Sequence, residues 1–174
     1  MPVAVVSLAR RAVLARVLAA GMLVVAAAIT FQAGPAVAYD ENSQSAINVD
    51  AQGVALRGYD PVSYFNAGTP TKGRDDLTAV HEGARYQFAT AANRDAFMKS
   101  PGQYAPSFGG FCAMGAALGK KLDGDPTIWR VVDGKLYLNV HQGASTRWQE
   151  DIPGNLVKAN NNWPTIKDKA PAEL

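Results

Sequence analysis

Cys112 is the only cysteine among 174 residues, and it sits in the run Ser107-Phe108-Gly109-Gly110-Phe111-Cys112-Ala113-Met114. A single thiol has no disulfide partner within the chain. It is either buried and inert or kept for reactivity, metal binding or pairing with another molecule. Met114 is the nearest soft partner, and a thiolate with a thioether suits Cu(I). Spacing tests that pairing. Two residues apart, side chains share a face on a strand but diverge by about 200° on a helix. Phe111 to Leu118 reads as a short helix after Gly109-Gly110, which turns Met114 toward core packing. The same helix would place Cys112 in a first turn, where free N–H groups favour a thiolate. Phe111, Ala113, Met114 and Ala116 equally suit a cysteine packed as a small apolar residue.

Only two imidazoles are present, so a three-histidine centre is impossible in one chain. His81 falls at the turn end of an apolar hairpin face, where it would ligate a metal, hold a thiolate, or bond a backbone carbonyl. His141 ends a strand on its polar face and is expected at the surface. Asp60-Pro61 reads as a turn or helix-start element. The sequence shows no phosphate loop, zinc-spaced Cys/His cluster, serine-nucleophile elbow or paired acid motif.

The residues around these side chains set their context. Arg10, Arg11 and Arg16 precede the uncharged, apolar stretch 17–31, and Ala36-Val37-Ala38 supplies small residues for cleavage. Residues 1–38 are therefore expected to be a signal for the general export route, making the protein periplasmic or secreted. The apolar run is short for a span of roughly 20 residues, so no stable membrane anchor is expected after cleavage. Losing three of the 17 basic residues leaves 14 against 15 acidic ones, a net charge of −1. No basic run remains to suggest nucleic acid. A flexible leader is expected at 39–46, one domain at 47–166 and a disordered tail at 167–174.

Two hairpins stand out within that domain. Leu77 to His81 and Ala84 to Phe88 flank Glu82-Gly83, pairing Leu77 with Phe88, Ala79 with Tyr86 and His81 with Ala84. Ile128 to Val132 and Lys135 to Val140 flank Asp133-Gly134, which places Val131 opposite Leu136 and Trp129 opposite Leu138. Arg130, Tyr137 and Asn139 take the other side. Thr90 caps a helix over 91–100 that stops at Pro101. Further helices are expected over 144–151 and from Ile152-Pro153 to Pro164. Hairpins interleaved with short helices define an α+β domain.

Several stretches together resemble the YHS domain in small exported bacterial proteins. They are Gly58-Tyr59-Asp60-Pro61-Val62-Ser63-Tyr64-Phe65, the segment 81–97 from His81-Glu82-Gly83 to Asp95-Ala96-Phe97, Pro101 to Pro106, and Gly109-Gly110-Phe111-Cys112-Ala113. Asp133 to Asn139 and Trp148 through Trp163 extend the likeness, so it covers most of Val54 to Trp163. The resemblance implies a small metal-handling fold associated with copper in particular. The tripeptide that names the family is absent. Cysteines that carry metal in thiolate-binding relatives are replaced here by Ser63, Ala89 and Asn93. In some exported relatives selenocysteine stands where Cys112 falls, which implies a nucleophilic or soft-ligand chalcogen.

Three functional readings follow. The first is a soft-metal binding module, copper-like, with Cys112 and His81 as ligands and a metal ion as partner. The second is a redox protein with Cys112 as nucleophile, cycling through sulfenic acid or a mixed disulfide with an external thiol. The third is a structural or small-molecule binding module in which Cys112 is buried.

Overall fold

The computed structural model describes Asp40 to Leu174. The expected export signal, 1–38, lies outside these residues. Among the described residues no helix is long and apolar enough to cross a membrane.

In chain order the elements are α1 (Ser63–Asn66), β1 (Arg74–His81), β2 (Ala84–Phe88), α2 (Ala91–Lys99), α3 (Pro101–Tyr104), α4 (Ala113–Ala117), β3 (Asp125–Val132), β4 (Lys135–Asn139), α5 (Gln142–Glu150) and α6 (Ile152–Ile166). Short 3-10 turns cover Leu56–Gly58, Ser107–Gly110 and Pro171–Glu173. Among the described residues, two antiparallel two-stranded sheets and six α-helices make the domain α+β.

The second hairpin has the expected register, with Trp129 opposite Leu138 and Val131 opposite Leu136. In the first, Ala79 faces Tyr86 and His81 faces Ala84 as the alternation predicts. Leu77 does not pair with Phe88. β1 starts earlier, its register shifts between Arg74 and Thr78, and Arg74 takes the place opposite Phe88. Such an irregularity adds residues to one strand without changing which face meets the core, and Leu77 still packs against it.

β4 separates two cores. Leu136 and Leu138 point into one cluster with Tyr64, Tyr86, Phe88 and Phe97. Tyr137 points into the other, with Phe108, Cys112, Trp148 and Ala159. Alternation in Leu136-Tyr137-Leu138-Asn139 reads as one wet face, yet Tyr137 is 9 % and Asn139 0 % exposed. α4, α5 and α6 cover that face, which a strand's period cannot reveal.

α2 keeps its Thr90 cap, the hydroxyl accepting from Asn93 N at 3.1 Å. α6 departs from expectation by running through Pro164 to Ile166. Ile166 is buried there, and the carbonyl of Lys167, just beyond it, is held by Lys121. The expected leader and tail meet at one lysine. Lys121 Nζ donates to the carbonyls of Ser45, Lys167 and Lys169 at 2.8, 2.9 and 2.7 Å. Ala172 N donates to Glu41 O at 2.9 Å, joining the two ends directly.

Candidate functional site

Cys112 is delivered by a left-handed turn. Phe108, Gly109 and Gly110 have φ of +53°, +59° and +85°. A Cβ at Gly109 would collide with the Ala46 carbonyl, so only glycine allows the chain to pass here. Cys112 N then bonds Leu122 O at 2.9 Å, and Cys112 pairs as an isolated bridge with Leu138. These contacts anchor it beside β4, immediately before α4.

The side chain caps that helix. Gly115 N donates to Sγ at 3.3 Å, and the thiol reaches Asn139 Oδ1 at 3.5 Å. Met114 N donates to the same Oδ1 at 3.2 Å. The residue is wholly buried. Burial pushes the Cys112 thiol up, and the helix N–H groups offset this only in part. Asn139 Oδ1 is an acceptor, so it favours the protonated S–H over a thiolate.

Asn139 was not among the residues singled out from the sequence. Its polar type at an alternating strand position marks it as solvent-facing, and only the helical layer converts it into the thiol's partner. Among the described residues, the other arm of its amide, Nδ2, has no hydrogen-bond partner; nor has Trp148 Nε1 in the same core. Met114 lies in α4 and is 6 % exposed, a core residue as the helical spacing predicts.

His81 has a different environment. Its ring meets Phe97 edge-on at a centroid distance of 5.9 Å, and Nε2 is 3.8 Å from Glu82 Oε1. Phe97 belongs to the first core and Cys112 to the second. Among the described residues, no group of three His, Cys, Asp or Glu is placed to hold a metal ion. Cys112 is thus surrounded by Asn139 and the N–H groups of α4, and His81 by Phe97 and Glu82. His141 is exposed, and its Nδ1 accepts from Ala144 N at 3.1 Å to cap α5.

A second centre forms around Asp60, which is fully buried. Oδ1 accepts from Val62 N at 2.8 Å. Oδ2 accepts from Ala89 N at 2.9 Å and Asn93 Nδ2 at 2.6 Å. Ser63 Oγ donates to the Asp60 carbonyl at 2.7 Å. Ser63, Ala89 and Asn93, the positions associated above with thiolates, thus all bond Asp60, Ser63 at its main-chain carbonyl and the other two at its carboxylate. The sequence identifies Asp60-Pro61 as a turn. It does not show that this turn ties α1, β2 and α2 together.

No family model, curated protein or solved structure matches the chain.

Raised ionisations in the core give an alkaline limit to stability. Burial raises the Cys112 thiol above its ordinary 9.0 and the Tyr64 and Tyr86 hydroxyls above their ordinary 10.0. Above each ordinary value the unfolded chain has lost a proton that the folded chain keeps. The folded state then binds more protons, so stability falls as pH rises. Cys112, Tyr64 and Tyr86 should make urea midpoints decline as pH rises past 9, against an opposing contribution from Lys121, whose ionisation burial lowers. Cys112→Ser should remove the part of the decline that begins near pH 9. A midpoint that stays level to pH 11 would contradict the burial of these three groups.

Proposed function

We propose that the chain is an exported binding module with a YHS-like core, in which Cys112 is a structural helix cap and not a reacting group. The observation that carries this reading is the state of its sulfur, which is wholly buried and hydrogen-bonded between Gly115 N and Asn139 Oδ1. A redox nucleophile needs a reachable thiolate, and here burial and an acceptor oxygen both favour the thiol. A copper site would need a second strong ligand beside the sulfur, and the nearest side-chain partner of Cys112 is an amide oxygen. The meeting of Ser63, Ala89 and Asn93 at Asp60 supports the YHS-like core. It also supports a change of role, with a hydrogen-bonded carboxylate in place of a thiolate cluster.

The test is alkylation of the native and unfolded protein, with a Cu(I) titration of the native form. The thiol should remain unmodified until denaturant is added, and no one-to-one Cu(I) complex that depends on Cys112 should form. Rapid native labelling with an apparent pKa below about 8.5 would restore the redox reading. Stoichiometric Cu(I) binding lost in Cys112→Ala would restore the metal reading. Cys112→Ala should itself cost about 1–2 kcal/mol, because Gly115 N–H loses its acceptor in a dry site. Cys112→Ser should cost less, because a hydroxyl can also cap.

A further inference from the structure

A cleft of about 680 Å³ lies between the 50–58 segment and the first hairpin, with Arg57, Lys72 and Arg85 on its walls beside Asp50 and Asp75. Its volume is in the range of small-molecule sites. Its shape comes from two glycines: a Cβ at Gly58 would meet the Gln87 side chain, and one at Gly73 the Gln87 backbone. At Gly73 the obstacle is backbone, so a larger residue there would push the chain away from β2. The far wall is tied down as well, with Ala55 N donating to Arg85 O and Arg85 N donating to Gly53 O, both at 2.9 Å.

Each carboxylate of this cleft already accepts hydrogen bonds from its own walls. Asp50 Oδ1 already accepts from the backbone N–H groups of Gln52 and Val54, and Asp75 Oδ1 accepts from Gln87 Nε2, each at 2.9 Å. Lys72 Nζ spends one N–H on Arg57 O at 2.6 Å, and Arg85 spends one on Gln52 O at 3.2 Å. Among the described residues neither cation has a carboxylate partner within salt-bridge distance. Arg57 is already engaged through its terminal nitrogens with Asp123 and Asp125, so it shapes the wall and Lys72 and Arg85 supply the open cations.

The backbone beneath Arg57 is strained. Leu56, Arg57 and Gly58 have φ of +54°, +48° and +76°, two successive non-glycine residues in the left-handed region. Each costs roughly 1–2 kcal/mol, and such strain persists where surrounding structure over-determines it, as at ligand clamps. Here the turn carries the Arg57 side chain to the cleft and presents the carbonyl that positions Lys72.

We infer that this cleft binds a small oxyanion, a carboxylate or phosphate group, through Lys72 and Arg85. This rests on the binding-module reading and names its ligand class. The planar donors of arginine and the point charge of lysine are the usual means of holding such groups.

The experiment titrates the purified protein with inorganic phosphate and separately with succinate at constant ionic strength, following backbone amide shifts. Saturable shifts should centre on Gly58, Gly73 and Arg85. Arg85→Gln and Lys72→Met, both at exposed positions, should keep the fold and each weaken binding about tenfold, the loss expected for one charge-assisted hydrogen bond. Binding of phosphate alone assigns a phosphate-bearing ligand, and of succinate alone a carboxylate. Absence of saturable shifts with both anions, or shifts unchanged in both variants, overturns the proposal. Either result leaves the alkylation test of Cys112 unaffected.

Discussion

Asp60→Ala is expected to be the most damaging single substitution at the sites described, costing about 3–5 kcal/mol. Truncation leaves Val62 N, in a buried site, and Ala89 N and Asn93 Nδ2, in partly buried ones, without their acceptor. An unmet buried donor costs about 1–3 kcal/mol, and three share one carboxylate here. These donors lie at the start of α1, just past β2 and within α2, so the loss should appear as global unfolding and not as local fraying. Asp60→Asn keeps one acceptor oxygen and should lose roughly half as much. Urea denaturation measures both, with the slope unchanged if the native state stays compact. A loss below about 1 kcal/mol for alanine would show that Asp60 does not tie α1, β2 and α2 together.

Lys121→Met should have the second largest effect and a different character. The lysine is 1 % exposed, and its ammonium holds three backbone carbonyls from opposite ends of the described chain. Methionine fills much of the volume but donates nothing, leaving three carbonyls to find new partners. A loss of about 2–4 kcal/mol is expected. It should be concentrated at the termini, because neither hairpin shares these bonds. Hydrogen exchange should therefore quicken at Ala172 N, which bonds Glu41 O, while the β1–β2 amides keep their protection. Limited proteolysis should cut the variant first near its ends. Unchanged exchange at Ala172 would mean that the termini are held by something other than this ammonium.

Both predictions involve polar residues that composition alone assigns to the surface. Asp60 is legible as a turn former because aspartate before proline has a local preference. Its three donors are 2 to 33 residues away, and nothing in the spacing announces them. Lys121 stands in Gly119-Lys120-Lys121-Leu122, which reads as an exposed loop. Its carbonyl partners are backbone groups, which any residue supplies, so the sequence carries no mark of them. For the same reason, composition alone does not show the tail as the source of two of them.

The α+β class, both hairpin turns and the Thr90 cap were legible because each depends on chemistry within a few residues: a two-residue turn, an alternating strand, a hydroxyl three positions before an N–H. Met114's place in the core followed from helical spacing by the same logic. What the tertiary structure alone decided was the environment of Cys112. Whether a thiol reacts depends on solvent, acceptors and neighbouring charges. Here those come from Asn139 on β4 and from the layer of α4, α5 and α6. Local periodicity places a side chain on one face of its element. Whether that face meets water or another layer depends on packing between segments distant in the chain.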